Sequence, residues 1–122
     1  MKSRDTLIRL KRFSVEEKRR RVRQIEMMMA EFTRMTVDLD REIAAEEKRA
    51  GISDPTHYAY PTYARAAVTR RDNLKSSIGE LAGQLDEAKV AQDEAAEELQ
   101  KFETLDGRER AQERGAEIAV RA

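Results

Sequence analysis

The chain has 122 residues, of which 39% are charged and 5% aromatic, with no cysteine, no tryptophan and a formal net charge of zero. That length suits one domain, and so few bulky side chains cannot fill a thick globular core. Without cysteine there are no disulfides and no thiol chemistry, which fits a reducing compartment, and the balanced charge gives no overall basic field for nucleic acid.

The first stretch, MKSRDTLIRLKRF, is basic but holds no continuous apolar run, so no secretory signal is expected. No apolar run anywhere reaches the roughly 18 residues that suggest a membrane span, and a cytoplasmic protein is expected. From Lys2 to Ala50 there is neither glycine nor proline. Ser3 can cap, Asp5 falls in the first turn and Gly51 follows the last periodic residue, so one helix is predicted over residues 3–50. At about 1.5 Å per residue it would be roughly 70 Å long, too long for a small globule without a partner.

The next stretch, GISDPTHYAYPTY, holds both prolines, the one histidine and all three tyrosines. It reads as a hinge over residues 51–61. Gly51 can close the first helix in the left-handed conformation. Asp54 and Pro55 look like the cap and first residue of a short helical turn. Pro61 restricts Tyr60 and starts the second helix. The tyrosine rings are expected to cover the apolar end of the hairpin with their hydroxyls in water. His57 with Asp54 is no metal or catalytic pair, because one histidine and no cysteine make a poor ligand set. No enzyme activity and no cofactor are expected.

A second helix is predicted over residues 62–106, followed by a frayed tail over 107–122 that Gly107 and Gly115 interrupt. Both helices carry a heptad. In the first, Ile8, Val15, Val22, Met29, Thr36, Ile43 and Ala50 share one seam position and Lys11, Lys18, Ile25, Phe32, Leu39 and Glu46 the other. In the second, Ala64, Arg71, Ile78, Leu85, Gln92 and Leu99 alternate with Ala67, Leu74, Leu81, Ala88, Ala95 and Phe102. Such a period predicts a left-handed coiled coil. The fold class is therefore all-α, two long helices in an antiparallel coiled-coil hairpin.

Layers whose residue numbers sum to 110 close the loop tightly: Ile43 with Ala67, Thr36 with Leu74, Ile25 with Leu85, Ile8 with Phe102, and Arg4 with Asp106. Charge agrees with this direction. Residues 1–23 carry ten Lys/Arg against three Asp/Glu, and residues 76–106 carry two against nine. Each exposed pair contributes only about 0–1 kcal/mol, so the pattern selects orientation more than it stabilises.

Three features stand apart from the seam. In EKRRRVR, Arg19, Arg20, Arg21 and Arg23 face no acid across the proposed register, so the cluster reads either as a solvated face or as a contact for an anionic partner. Met27 of the MMM run falls at an outward heptad position, a candidate docking residue. Gly79 and Gly83, four apart and off the seam, permit bending or the close approach of another chain.

MKSRDTLIRLKRF, EKRRRVRQIEMMMAEF, LDREIAAEE and GISDPTHYAYPTYARAA with RRDNL together resemble the FliJ family, soluble proteins of the flagellar type III export apparatus, in its alphaproteobacterial form. The likeness runs from the N-terminus to about residue 75, and the tail departs from the pattern. The resemblance implies an antiparallel coiled coil similar to the central stalk of rotary ATPases. It implies binding to the hexameric export ATPase and to the cytoplasmic domain of the export gate, with a link to export chaperones and a place at the base of the flagellum. No nucleic acid is expected. The alternatives are a nucleic-acid-binding helical arm or a generic coiled-coil scaffold.

Overall fold

Nothing between Ser3 and Ala50 interrupts a helix, and none occurs: α1 spans Ser3–Ala50, 48 residues, with Asp5 in its first turn and Lys48 and Arg49 in its last. These charges complement the helix dipole at both ends. The computed structural model describes residues 3–121. The second helix, α2, spans Thr62–Arg121, 60 residues. Among the described residues these two helices are the only regular elements, and they pack against each other as a hairpin. None is long and apolar enough to cross a membrane.

The predicted end at Asp106 is not where α2 stops: the helix continues through Gly107 and Gly115 to Arg121. Each glycine costs up to about 1 kcal/mol against alanine in a helix interior. The acids of this stretch supply compensation. Asp106, Glu109 and Glu113 continue the seam spacing of the helix, and all three engage Arg4. Ala122, the last residue of the expected tail, lies outside the described residues, as do Met1 and Lys2.

The chain forms two compact units, Met1–Arg23 with Glu87–Ala122 and Gln24–Asp86. In the first, Ile8, Val15 and Val22 of α1 are buried, whereas the facing α2 positions Ala88, Ala95, Leu99 and Phe102 are only half-buried. Charge supplements this thin core. Lys11, at a seam position, lays its ammonium 5.3 Å over the Phe102 ring and donates to Glu98 Oε1 at 2.5 Å. Its stem lies along the seam while its head reaches a carboxylate and an aromatic face, which explains a lysine there. The direction is antiparallel, since Arg4 meets Asp106 and Lys11 meets Glu98.

The second unit buries more. Ile25, Thr36, Leu39 and Ile43 of α1 and Ala64, Ala67 and Leu81 of α2 are buried, with Ile25 wholly enclosed. Leu39, Ile43 and Ala67 form one cluster against which Val68 and Leu74 pack. The Ile43 and Ala67 layer of the proposed register is thus present, as is the Arg4 and Asp106 layer in the first unit. Thr36 is the buried polar residue, and its hydroxyl donates to the Thr33 carbonyl at 2.7 Å. Arg71, another charged seam residue, donates to Asp40 Oδ1 at 3.1 Å and to Asp72 Oδ1 at 3.2 Å.

Gly51 closes α1 with φ 72°, and its N–H donates to the Glu47 carbonyl at 2.9 Å. A side chain there would be strained in the left-handed region. The short helical turn expected after Asp54 is instead two successive turns. The His57 N–H donates to the Asp54 carbonyl and the Tyr60 N–H to the His57 carbonyl, both at 3.0 Å. Pro61 then offers its carbonyl to the Arg65 N–H at 3.0 Å and opens α2.

Candidate functional site

The arginine-rich stretch of α1 lies on the helix between Val15 and Ile25, whose burial fixes which way its neighbours face. Arg19, Arg20, Arg21 and Arg23 are all exposed. The structure supplies Arg19 and Arg20 with acids from α1 itself rather than from across the seam. Arg19 Nη1 donates to Glu16 Oε1 at 2.7 Å, and Arg20 pairs with Glu17, each three residues back along the same helix. Arg21 is also engaged. Pairs of this spacing are worth about 0.2–0.5 kcal/mol and exchange readily. Arg19 also borders a groove of about 490 Å³ with Val15, Ala96, Leu99 and Glu103.

The other candidates fall in the second unit. Met27 keeps 72% of its surface in solvent, while Met29 is half-buried, in agreement with the heptad phase. Gly79 and Gly83 are exposed, and a Cβ built on either meets nothing within 4 Å. No packing within the chain therefore requires a glycine at these positions. The arginine cluster belongs to the unit Met1–Arg23 with Glu87–Ala122, and Met27, Gly79 and Gly83 to Gln24–Asp86.

Two clusters of polar chemistry do form. In the first unit, Arg4 Nε lies 2.8 Å from Asp106 Oδ1 as an ion pair without hydrogen-bond alignment. Its terminal nitrogens donate to Glu109 at 2.8 Å and to Glu113 at 3.1 and 3.0 Å. Arg110 donates to Asp106 Oδ2 at 2.9 Å and to Asp5 Oδ1 at 2.6 Å. Donating to Glu113 and Glu109 pushes the Arg4 guanidinium further from deprotonation, and donating to Asp106 does the same for Arg110. Sequence reasoning found only the Arg4 and Asp106 contact because it ended α2 at Asp106. The acid spacing Asp106, Glu109, Glu113, which continues the heptad, was the available signal.

The second cluster is the tip of residues 51–61. Tyr60 is buried, and its hydroxyl donates to Glu47 Oε2 at 2.7 Å, so it is not left in water as expected. Burial first, and the Glu47 hydrogen bond second, raise its pKa. Tyr63 donates to Glu42 Oε2 at 2.9 Å, which raises its pKa too. Tyr58 covers nothing: it is 94% exposed, and its ring stacks on His57 with centroids 4.7 Å apart. Arg65 of α2 donates to the Pro55 carbonyl at 2.9 Å and lies 5.5 Å from the Tyr60 ring centroid. Asp54 Oδ1 accepts from the Thr56 N–H at 2.9 Å and the Thr56 hydroxyl at 2.8 Å, and these bonds lower its pKa.

Among the described residues no group of three or more His, Cys, Asp or Glu is placed to hold a metal ion. What this arrangement offers is surface: paired but exchangeable arginines, the exposed Met27 and a braced tip carrying an exposed aromatic residue. Comparison with protein-family models, with curated proteins and with solved structures returned no match for this chain.

Proposed function

We propose that the chain is a non-enzymatic component of the flagellar type III protein export apparatus, a FliJ-like stalk that couples the export ATPase ring to the cytoplasmic domain of the export gate, at the base of the flagellum, with an escort role toward export chaperones. The observation that carries this reading is the tip string GISDPTHYAYPTY, which resembles the family's hinge and which generic coiled coils do not share. Its residues also have specific structural uses: Gly51 closes α1, Asp54 caps a turn, Tyr60 bonds Glu47 and Pro61 opens α2. Support comes as well from the antiparallel helical hairpin, the fold that the resemblance implies.

Physical chemistry is compatible with such a role. A partner's carboxylates can replace Glu16 and Glu17 at Arg19 and Arg20 at low cost, because exposed pairs are weak. Guanidinium groups fork onto carboxylates and steer an acidic surface toward the helix. The test is affinity capture of the tagged chain from motile and from export-deficient cells. The reading predicts that the export ATPase is recovered from the first. Recovery of RNA with steep salt dependence, and no ATPase, would replace it with the nucleic-acid-binding alternative.

A further inference from the structure

The tip closes with two turns of one design. In the first, the Asp54 side chain accepts the N–H of Thr56, two residues on, at 2.9 Å. In the second, His57 Nδ1 accepts the N–H of Ala59, two residues on, at 3.0 Å. A side-chain acceptor at that spacing is the usual part of Asp or Asn. Here an imidazole fills it, and the substitution carries a chemical condition. An ionised carboxylate always accepts. Imidazole accepts at Nδ1 only when it is neutral with its hydrogen on Nε2.

We infer that His57 is a proton-operated latch of the tip: neutral, it holds the second turn through Ala59, and protonated, it releases Ala59 and re-aims Tyr58. A proton on Nδ1 leaves two donors facing each other across 3.0 Å, so the ring must leave that position. The nearest anion in the tip is Asp54, which attracts the protonated ring. Arg65 of α2 also faces this segment, its guanidinium donating to the His57 carbonyl at 3.5 Å and to the Pro55 carbonyl at 2.9 Å. From α1, Glu47 holds the Tyr60 hydroxyl. These bonds brace residues 55–57 and Tyr60, so the change is confined to the segment between them. Tyr58 is stacked on the His57 ring and moves with it. Because Tyr58 is 94% exposed, the surface that the tip presents changes with pH. This inference does not rest on the export reading.

The experiment is an NMR titration of the full chain from mildly alkaline to mildly acidic pH, following the His57 ring and the Ala59 and Thr56 amides together. Ala59 exchange, corrected for its intrinsic pH dependence, is expected to rise about three- to tenfold in step with His57 protonation, the worth of one hydrogen bond. Thr56 is expected to stay constant over that range. His57→Asn keeps an acceptor at the same place and cannot titrate there, so its Ala59 protection should be flat. Ala59 protection that ignores His57 protonation in the unaltered chain overturns the inference, and so does an Asn variant that repeats the original pH dependence. If that variant does not fold, the comparison of Ala59 with Thr56 in the unaltered chain decides alone.

Discussion

Ile25 and Met27 sit two residues apart on α1 in the same compact unit, one with no exposed surface and one 72% exposed. Truncating each to alanine separates seam burial from everything else the helix does. Ile25→Ala removes three carbons, worth about 0.8 kcal/mol each on transfer, or roughly 2.4 kcal/mol. The cavity left at an enclosed site adds to this, and the better helix propensity of alanine returns a few tenths. A loss of about 3 kcal/mol is expected. Met27→Ala puts at stake less than a third of a burial worth about 2 kcal/mol, again offset by propensity, so under about 0.5 kcal/mol is expected. Urea unfolding followed by far-ultraviolet circular dichroism measures both, provided the m-value is unchanged. Equal losses, or an Ile25→Ala loss below about 1 kcal/mol, would refute the seam.

Tyr60→Phe should cost about 1 kcal/mol through the lost bond to Glu47, while Tyr58→Phe, whose ring touches no core, should leave the urea midpoint unmoved. Asp54 has a lowered pKa in the folded chain, so its contribution is present above its ordinary value of 3.8 and is lost as pH falls through the folded value. Thr56 amide protection should therefore drop only below that pH, and Asp54→Asn, which keeps the acceptor, should abolish the drop. Arg4→Gln should speed hydrogen exchange across residues 107–121 and leave the Leu39, Ile43 and Ala67 layer as protected as before. Rapid exchange of residues 107–121 in the unaltered chain as well would show that the Arg4 contacts do not hold them.

The seam was legible because a 3.5-residue period leaves only one stripe for apolar groups, and Ile8, Val15, Val22, Ile25, Leu39 and Ile43 occupy it and are buried. The polar layer of Arg4 and Asp106 was legible for the same reason. Extent of burial was not: Phe32 and Leu85 lie on the same stripe yet are half-buried, whereas Ile25 is wholly enclosed. Residues 107–121 were misread by weighing two glycines and overlooking the carboxylates at seam spacing beside them. At the tip, Gly51 was readable from its place after the helix, whereas the Tyr60 bond to Glu47 depends on how the turns fold back and leaves no local signature. The arginine cluster was read across the seam, but Arg19 and Arg20 found acids along their own helix first.

The proposed coupling role is tested most directly by measuring ATP hydrolysis of the purified export ATPase with the unaltered chain and with Arg19, Arg20, Arg21 and Arg23 all changed to Gln. These side chains are exposed and Val22 and Ile25 hold the helix, so circular dichroism of the variant should match the original. The account predicts that the unaltered chain binds and stimulates the ATPase and that the folded variant stimulates it markedly less, through loss of charge-assisted contacts. An unaltered chain that neither binds nor stimulates the ATPase would contradict the account. A folded variant with full stimulation would reduce the arginines to a solvated face.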